Sequence, residues 1–320
     1  MSDLAEPMPG VAPARHRHPA TGYVLYLCAA ALFALNGTIS KSILLTGIDS
    51  ARLSQLRVTT AFLILLVVVA LRRPAALRLR KAELPVLLAY GVLGIAMTQY
   101  LYFVSISLLP VGVALLIEFT APIMVALWFR FGMGEPVNRR VWIALALALV
   151  GLAMVGQVWT GFSLNGLGVV AGFGAAAALA LYYLLADRQV RQPDARDPVS
   201  LTMWGFGAAA LFWAIVQPWW SFPWSDLSGD GYPLGEGSTG VPLWALCTYM
   251  VVLGTVVPFW LVVMSLQHIR ASQASVVGMT EPLLAILIAW VALGEVLTGA
   301  QIVGAVIVLV GVFLAERSRD

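Results

Sequence analysis

Long apolar runs, broken at intervals by short polar stretches, dominate this chain, and their lengths decide its fold class. Ten runs can be marked, at 22–43, 53–71, 84–105, 111–131, 140–158, 166–187, 199–219, 242–266, 272–293 and 299–316. Each is close to the roughly 20 residues that a helix needs to cross a bilayer. The breaks hold helix stoppers and charges, such as Arg72-Arg73-Pro74, Gly134-Glu135-Pro136 and Gln192-Pro193-Asp194. Period-2 alternation is absent, which excludes a transmembrane β-barrel. The pattern predicts an all-α integral membrane protein of ten transmembrane helices. Residues 1–20 have no apolar run and read as a disordered cytoplasmic tail rather than a signal peptide; 317–320 form a second short tail.

Composition agrees. Hydrophobic residues make up 60% and charged residues 11% of the 320 positions, against about 25% charge in soluble chains. The 29 glycines suit close helix packing in lipid. Small residues in the fifth and tenth runs offer a face for a homodimer. Cys28 and Cys247 lie inside apolar runs and read as packing residues. His16 and His18, in the tail, are too few and too loosely placed for a metal site.

Charge placement sets orientation. With a cytoplasmic N-terminus, all of the 19 Lys and Arg except Lys41, Arg52 and Arg57 fall on the inside. The opposite orientation would reverse the positive-inside bias, so both termini are expected in the cytoplasm. The longest outside loop, 220–241, follows Trp219 and holds Trp220, Phe222 and Trp224 before Asp226, Asp230 and Glu236. It reads as an interfacial aromatic anchor with an acidic turn, or as a substrate-capturing lid.

The two halves repeat each other. A shift of 160 residues places Leu101 on Leu261, Ser105 on Ser265, Thr120 on Thr280, Pro122 on Pro282, Gly134-Glu135 on Gly294-Glu295 and Gly151 on Gly311. The overlay fades over the first two spans of each half. Residues 21–158 and 159–316 thus form two repeats of five spans. An odd number of spans inverts the second repeat, and inverted repeats are an architecture of secondary transporters.

Charge inside a bilayer costs roughly 2.5–3.5 kcal/mol per residue on insertion scales, so intramembrane charges are functional candidates. Glu118, Glu281, Arg57 and Lys41 qualify. Pro122 cannot bond the Glu118 carbonyl, nor Pro282 that of Gly278, and broken backbone at depth lines protein or a wet cavity. The competing reading is a pair of simple kinks. Glu118 has two functional readings, as partner of a substrate ammonium and as proton-exchanging group, and one structural reading, a static salt bridge to Arg57. Glu281 reads equally as a ligand or as a buried acid bonded locally. Arg57 and Lys41 can attract a substrate carboxylate, with snorkelling as the alternative for Lys41. Asn36, Gln99, Tyr100, Tyr102, Tyr182, Tyr183 and Trp260 are candidate pocket residues; Glu135 and Glu295 read as turn residues. No phosphate loop, His-Glu-x-x-His pair or Ser/His/Asp set is present, so the sequence calls for no cofactor or metal, and the energy source is a gradient.

The stretch Pro110-Val-Gly112-Val-Ala114-Leu-Leu-Ile-Glu118-Phe119-Thr120-Ala121-Pro122, with Met279-Thr280-Glu281-Pro282 and Leu293-Gly294-Glu295, resembles the EamA-type branch of the drug/metabolite transporter superfamily. The likeness covers residues 22–316. Its span-4 pattern is similar to that of the threonine/homoserine exporters, with Ala121 where that pattern has Gly, which narrows the groove. The resemblance implies a bacterial inner-membrane exporter of small metabolites such as amino acids, exchanging for protons. Alternatives are a multidrug exporter of the same fold and a polytopic membrane enzyme, whose site would sit near a headgroup plane rather than at mid-depth.

Overall fold

The computed structural model describes residues 18–109, 111–155, 157, 159, 165–192, 196–233, 239–284 and 298–316. The N-terminal tail with His16, the residues Pro110, Pro193-Asp194 and Glu236, the Leu293-Gly294-Glu295 motif and residues 317–320 lie outside them. The described chain is helical apart from its connections and a two-residue antiparallel pairing that sets Asp230 opposite Pro242 and Gly231 opposite Val241.

The helices are α1 (Pro19–Leu45), α2 (Ser50–Arg72), α3 (Lys81–Leu108), α4 (Val111–Glu118), α5 (Ala121–Leu127), α6 (Arg139–Val155), α7 (Gly166–Val190), α8 (Pro198–Val216), α9 (Leu243–Ser265), α10 (Ala271–Gly278) and α11 (Gly299–Glu316). Their starts follow from local chemistry. Pro19 and Pro198 occupy first-turn positions, where a missing N–H is harmless. The Asp49 carboxylate accepts from the Ala51 N–H at 2.9 Å, and the Asn165 side chain from the Gly168 N–H at 3.1 Å.

Among the described residues, seven helical segments are long and apolar enough to cross a membrane. The other three of the ten expected runs fall short of that length for identifiable reasons. α6 is described over 17 residues; the ninth run is interrupted at Met279-Thr280 and described only to Leu284; and α11 is described as an apolar stretch over Gly299–Gly311 within Gly299–Glu316. Large side chains such as Leu63, Val67, Val170, Ile215 and Val306 point outward, as lipid-facing residues do.

The main pairings join one half of the chain to the other: α1 with α9, α3 with α7, α2 with α8 and α6 with α11. Exchanging the halves turns the first pairing into the second. At the α6–α11 seam a side-chain carbon on Gly151 would lie 2.7 Å from the Gly304 carbonyl. These small residues are therefore used within one chain.

Two distortions recur at the 160-residue spacing. The first is a complete break. α4 stops at Glu118 and α5 begins at Ala121, while α10 stops at Gly278 and helix resumes at Glu281. In both gaps a threonine hydroxyl caps the preceding turn, Thr120 to the Ile117 carbonyl and Thr280 to the Val277 carbonyl, each at 2.7 Å. Pro122 sits in the first turn of α5. The second distortion is a π-helical stretch, Tyr90–Ala96 in α3 and Val252–Val256 in α9.

Ion pairs gather at one end of the bundle. There Arg196 joins Glu83 at 2.5 Å and donates to the Ala76 and Arg78 carbonyls, Arg73 pairs with Asp197, and Arg270 reaches Glu135 at 3.6 Å. At the other end Arg52 donates to the Pro218 carbonyl and to Ser221, under the ring cluster of Trp219, Phe222 and Trp224. We refer to these as the basic and aromatic ends.

Candidate functional site

The two helix breaks, at Glu118-Phe119 and before Glu281, face one cavity. It holds about 80 Å³ and is bounded by α1, α2, α3, the α4–α5 break, α7, α9 and the start of the helix at Glu281. That volume accommodates several waters or part of a small solute. Several wall residues, Asn36, Gln99 and Leu179 among them, lie in the central part of their helices.

Three charged side chains line it: Arg57, Glu118 and Glu281. Arg57 is 3% exposed and firmly held. Its Nε donates to the Thr255 hydroxyl at 2.5 Å, its Nη2 donates to the Gly254 carbonyl at 2.8 Å, and its guanidinium carbon lies 5.3 Å from the centre of the Phe103 ring. The Thr255 hydroxyl in turn donates to the Met250 carbonyl at 2.7 Å, five residues back, the spacing a π turn creates. The bulge thus presents a backbone oxygen and a hydroxyl to an arginine that would otherwise lose its hydration uncompensated.

The acids are placed differently. Glu118 ends α4 and is buried, while Glu281 opens the helix after the second break and is half-buried. Among the described residues neither carboxylate makes a hydrogen bond or an ion pair, including to Arg57. Both lie within electrostatic reach of Arg57 and of each other. A buried charge without a partner costs several kcal/mol, so their placement is not explained by local bonding. Lys41 sits apart, donating to the Leu109 carbonyl at 3.2 Å at the aromatic end.

The neutral polar groups divide into engaged and unengaged. Thr98 donates to the Gly94 carbonyl, and the Tyr26 and Tyr183 hydroxyls bond each other. The tyrosine pair abuts Gly278 and lines the cavity on the side nearer the basic end. Asn36 lies against Gly254, where any side-chain carbon would collide with it, and its Oδ1 has no partner. Gln99 is 3% exposed, and neither its Oε1 nor its Nε2 has one. Tyr102 completes this side of the wall.

Of the residues singled out from sequence, Asn36, Arg57, Gln99, Tyr102, Glu118, Tyr183 and Glu281 therefore meet at one cavity. Tyr182 and Trp260 do not line it; Tyr182 stacks on Tyr90, with centroids 5.3 Å apart. Tyr100, also singled out, does not line it either, and Phe259 lines it in place of its neighbour Trp260, with Tyr26, Phe33 and Phe119. Tyr26 and Thr255 carried no sequence signal of their own; the recurrence of Gly94 at Gly254 was the available pointer to the bulges.

Comparison with known proteins bears on the family and the fold. The model of the EamA-like transporter family matches twice, at residues 20–157 and 166–317. The threonine/homoserine exporter RhtA of Salmonella typhimurium strain LT2 is 30% identical over 243 residues, 74% of this chain and 72% of that protein. The exporter of the same name from Escherichia coli strain K12 is 29% identical over 292 residues, 89% of this chain and 88% of that one. A crystal structure 18% identical in sequence superposes with a TM-score of 0.71, covering 94% of this chain and 99% of that chain, which shows a shared fold.

Proposed function

Because this chain belongs to the EamA-like transporter family, we propose that it exports amino acids, or zwitterions of similar size, across the bacterial inner membrane. The proposed architecture is ten spans in two inverted repeats, 21–158 and 159–316, with both termini cytoplasmic. The site alternates between the two faces as the repeats rock.

The observation that carries this reading is a buried arginine and two acids, unpaired among the described residues, on the wall of one cavity. A guanidinium has five N–H donors, and the named contacts of Arg57 use two. A remaining donor is available to a solute carboxylate, while Glu118 or Glu281 receives the ammonium. An acid without a protein partner is also suited to take up a proton when the solute leaves. We assign that coupling role to Glu118, since it stands at a helix break where small backbone shifts change its surroundings. The named exporters of threonine and homoserine support the choice of solute class.

A second reading, a multidrug exporter, draws on the rings of Phe33, Phe259, Tyr26 and Tyr183 around the same cavity. Purified protein in liposomes under an imposed pH gradient separates the two. The expected result is gradient-driven movement of one or more labelled amino acids. Failure to move any amino acid, with robust movement of a lipophilic cation, overturns it in favour of the second reading.

A further inference from the structure

Gln99 is a polar group on the cavity wall that the charge arrangement leaves unused. It is 3% exposed and lines the cavity, yet both ends of its amide lack partners. Other buried polar atoms without partners occur in the molecule, but among the described residues only those of Gln99 and Asn36 belong to the cavity wall. The Asn36 oxygen is turned against Gly254. Thr98, beside Gln99, already donates to the Gly94 carbonyl. Gln99 thus sets a primary amide, with an unanswered acceptor and donor side by side, on the wall that also carries the charged groups.

We propose that Gln99 is the specificity-determining residue, and that it selects amino acids whose side chain bears a hydroxyl group. The inference rests on the amino-acid reading above. If Arg57 and the acids hold the two charged ends of a zwitterion, its side chain must meet the rest of the wall. A hydroxyl both donates and accepts, so it can satisfy Oε1 and Nε2 together. An isosteric apolar side chain leaves both unpaired in a dry site, and such sites reject the analogue lacking the group.

The test is competition between threonine and its isostere valine for initial-rate uptake into everted membrane vesicles. Wild-type protein is expected to favour threonine by about tenfold or more. Gln99→Leu should bring the ratio close to one, chiefly by weakening threonine; Gln99→Met, of similar length, gives the same reading should the leucine variant not insert. Gln99→Glu, which keeps an acceptor, should retain part of the preference. If wild type moves both solutes but the variants leave their ratio unchanged, Gln99 does not read the side chain and the inference is overturned while amino-acid export stands. If wild type moves neither, the export reading fails and takes this inference with it.

Discussion

α3 and α9 carry the same backbone device at matching places in the two repeats, and the neighbours of each device differ in kind. The π-helical stretch of α3 is welded to α8. A side-chain carbon on Gly91 would lie 2.3 Å from the Gly205 carbonyl, and one on Gly205 would lie 2.5 Å from the Tyr90 ring. The stretch in α9 is instead joined to α2 through Arg57, which binds the Gly254 carbonyl and the Thr255 hydroxyl that the bulge exposes. Repetition has thus conserved a shape and varied its use. One bulge brings backbones together without polar chemistry, and the other holds a buried cation at the cavity. The scaffold is symmetric, and the charge on it is not: Glu118 corresponds to Gly278, and Glu281 to Ala121.

The difference can be broken from either side. The largest effect is expected at the welded joint. Gly205→Leu drives a branched side chain into Tyr90 where a well-packed core already loses about 1–3 kcal/mol or more to overpacking. It should abolish recovery of monodisperse protein from membranes. At the charged joint, Arg57→Met should leave recovery near normal and lower transport about 100-fold, since bonds to a charged group are each worth roughly 1.5–3 kcal/mol. Next comes Thr255→Val, which removes one of the two bonds that aim Arg57; about a tenfold rise in half-saturating solute is expected, with Thr255→Ser restoring it. The smallest effect is expected from Tyr183→Phe, which loosens the contact toward the basic end and should change initial rates about fivefold or less.

The apolar runs, the repeat and the buried charges were legible in sequence because each rests on a local property: transfer cost, spacing or charge. The helix breaks were partly legible, since proline marks where an N–H is missing but not whether the helix kinks or stops. The capping hydroxyls of Thr120 and Thr280 favour a stop. The bulges were hidden because nothing in a residue type forbids an α turn there. Tyr182 and Trp260 show a different limit. Adjacent residues on a helix point about 100° apart, so a neighbouring pair need not share a cavity, and Tyr183 and Phe259 line this one where Tyr182 and Trp260 do not. Composition does not say which; packing against Tyr90 settles it for Tyr182. The Tyr26–Tyr183 contact, between residues 157 apart in sequence, depends wholly on how α1 and α7 come together. The same holds for spans 1 and 2 of each half, where the 160-residue overlay fades in sequence.

The central claim is that the asymmetric charge at the cavity carries solute and proton together. Its most direct test is the initial rate of amino-acid movement in liposomes, with and without an imposed pH gradient, for wild type and for Glu118→Gln. The expected result is a gradient-accelerated wild type and a variant that inserts normally yet ignores the gradient. A Glu118→Gln protein that transports at the full rate, with its dependence on the gradient unchanged, would contradict the account.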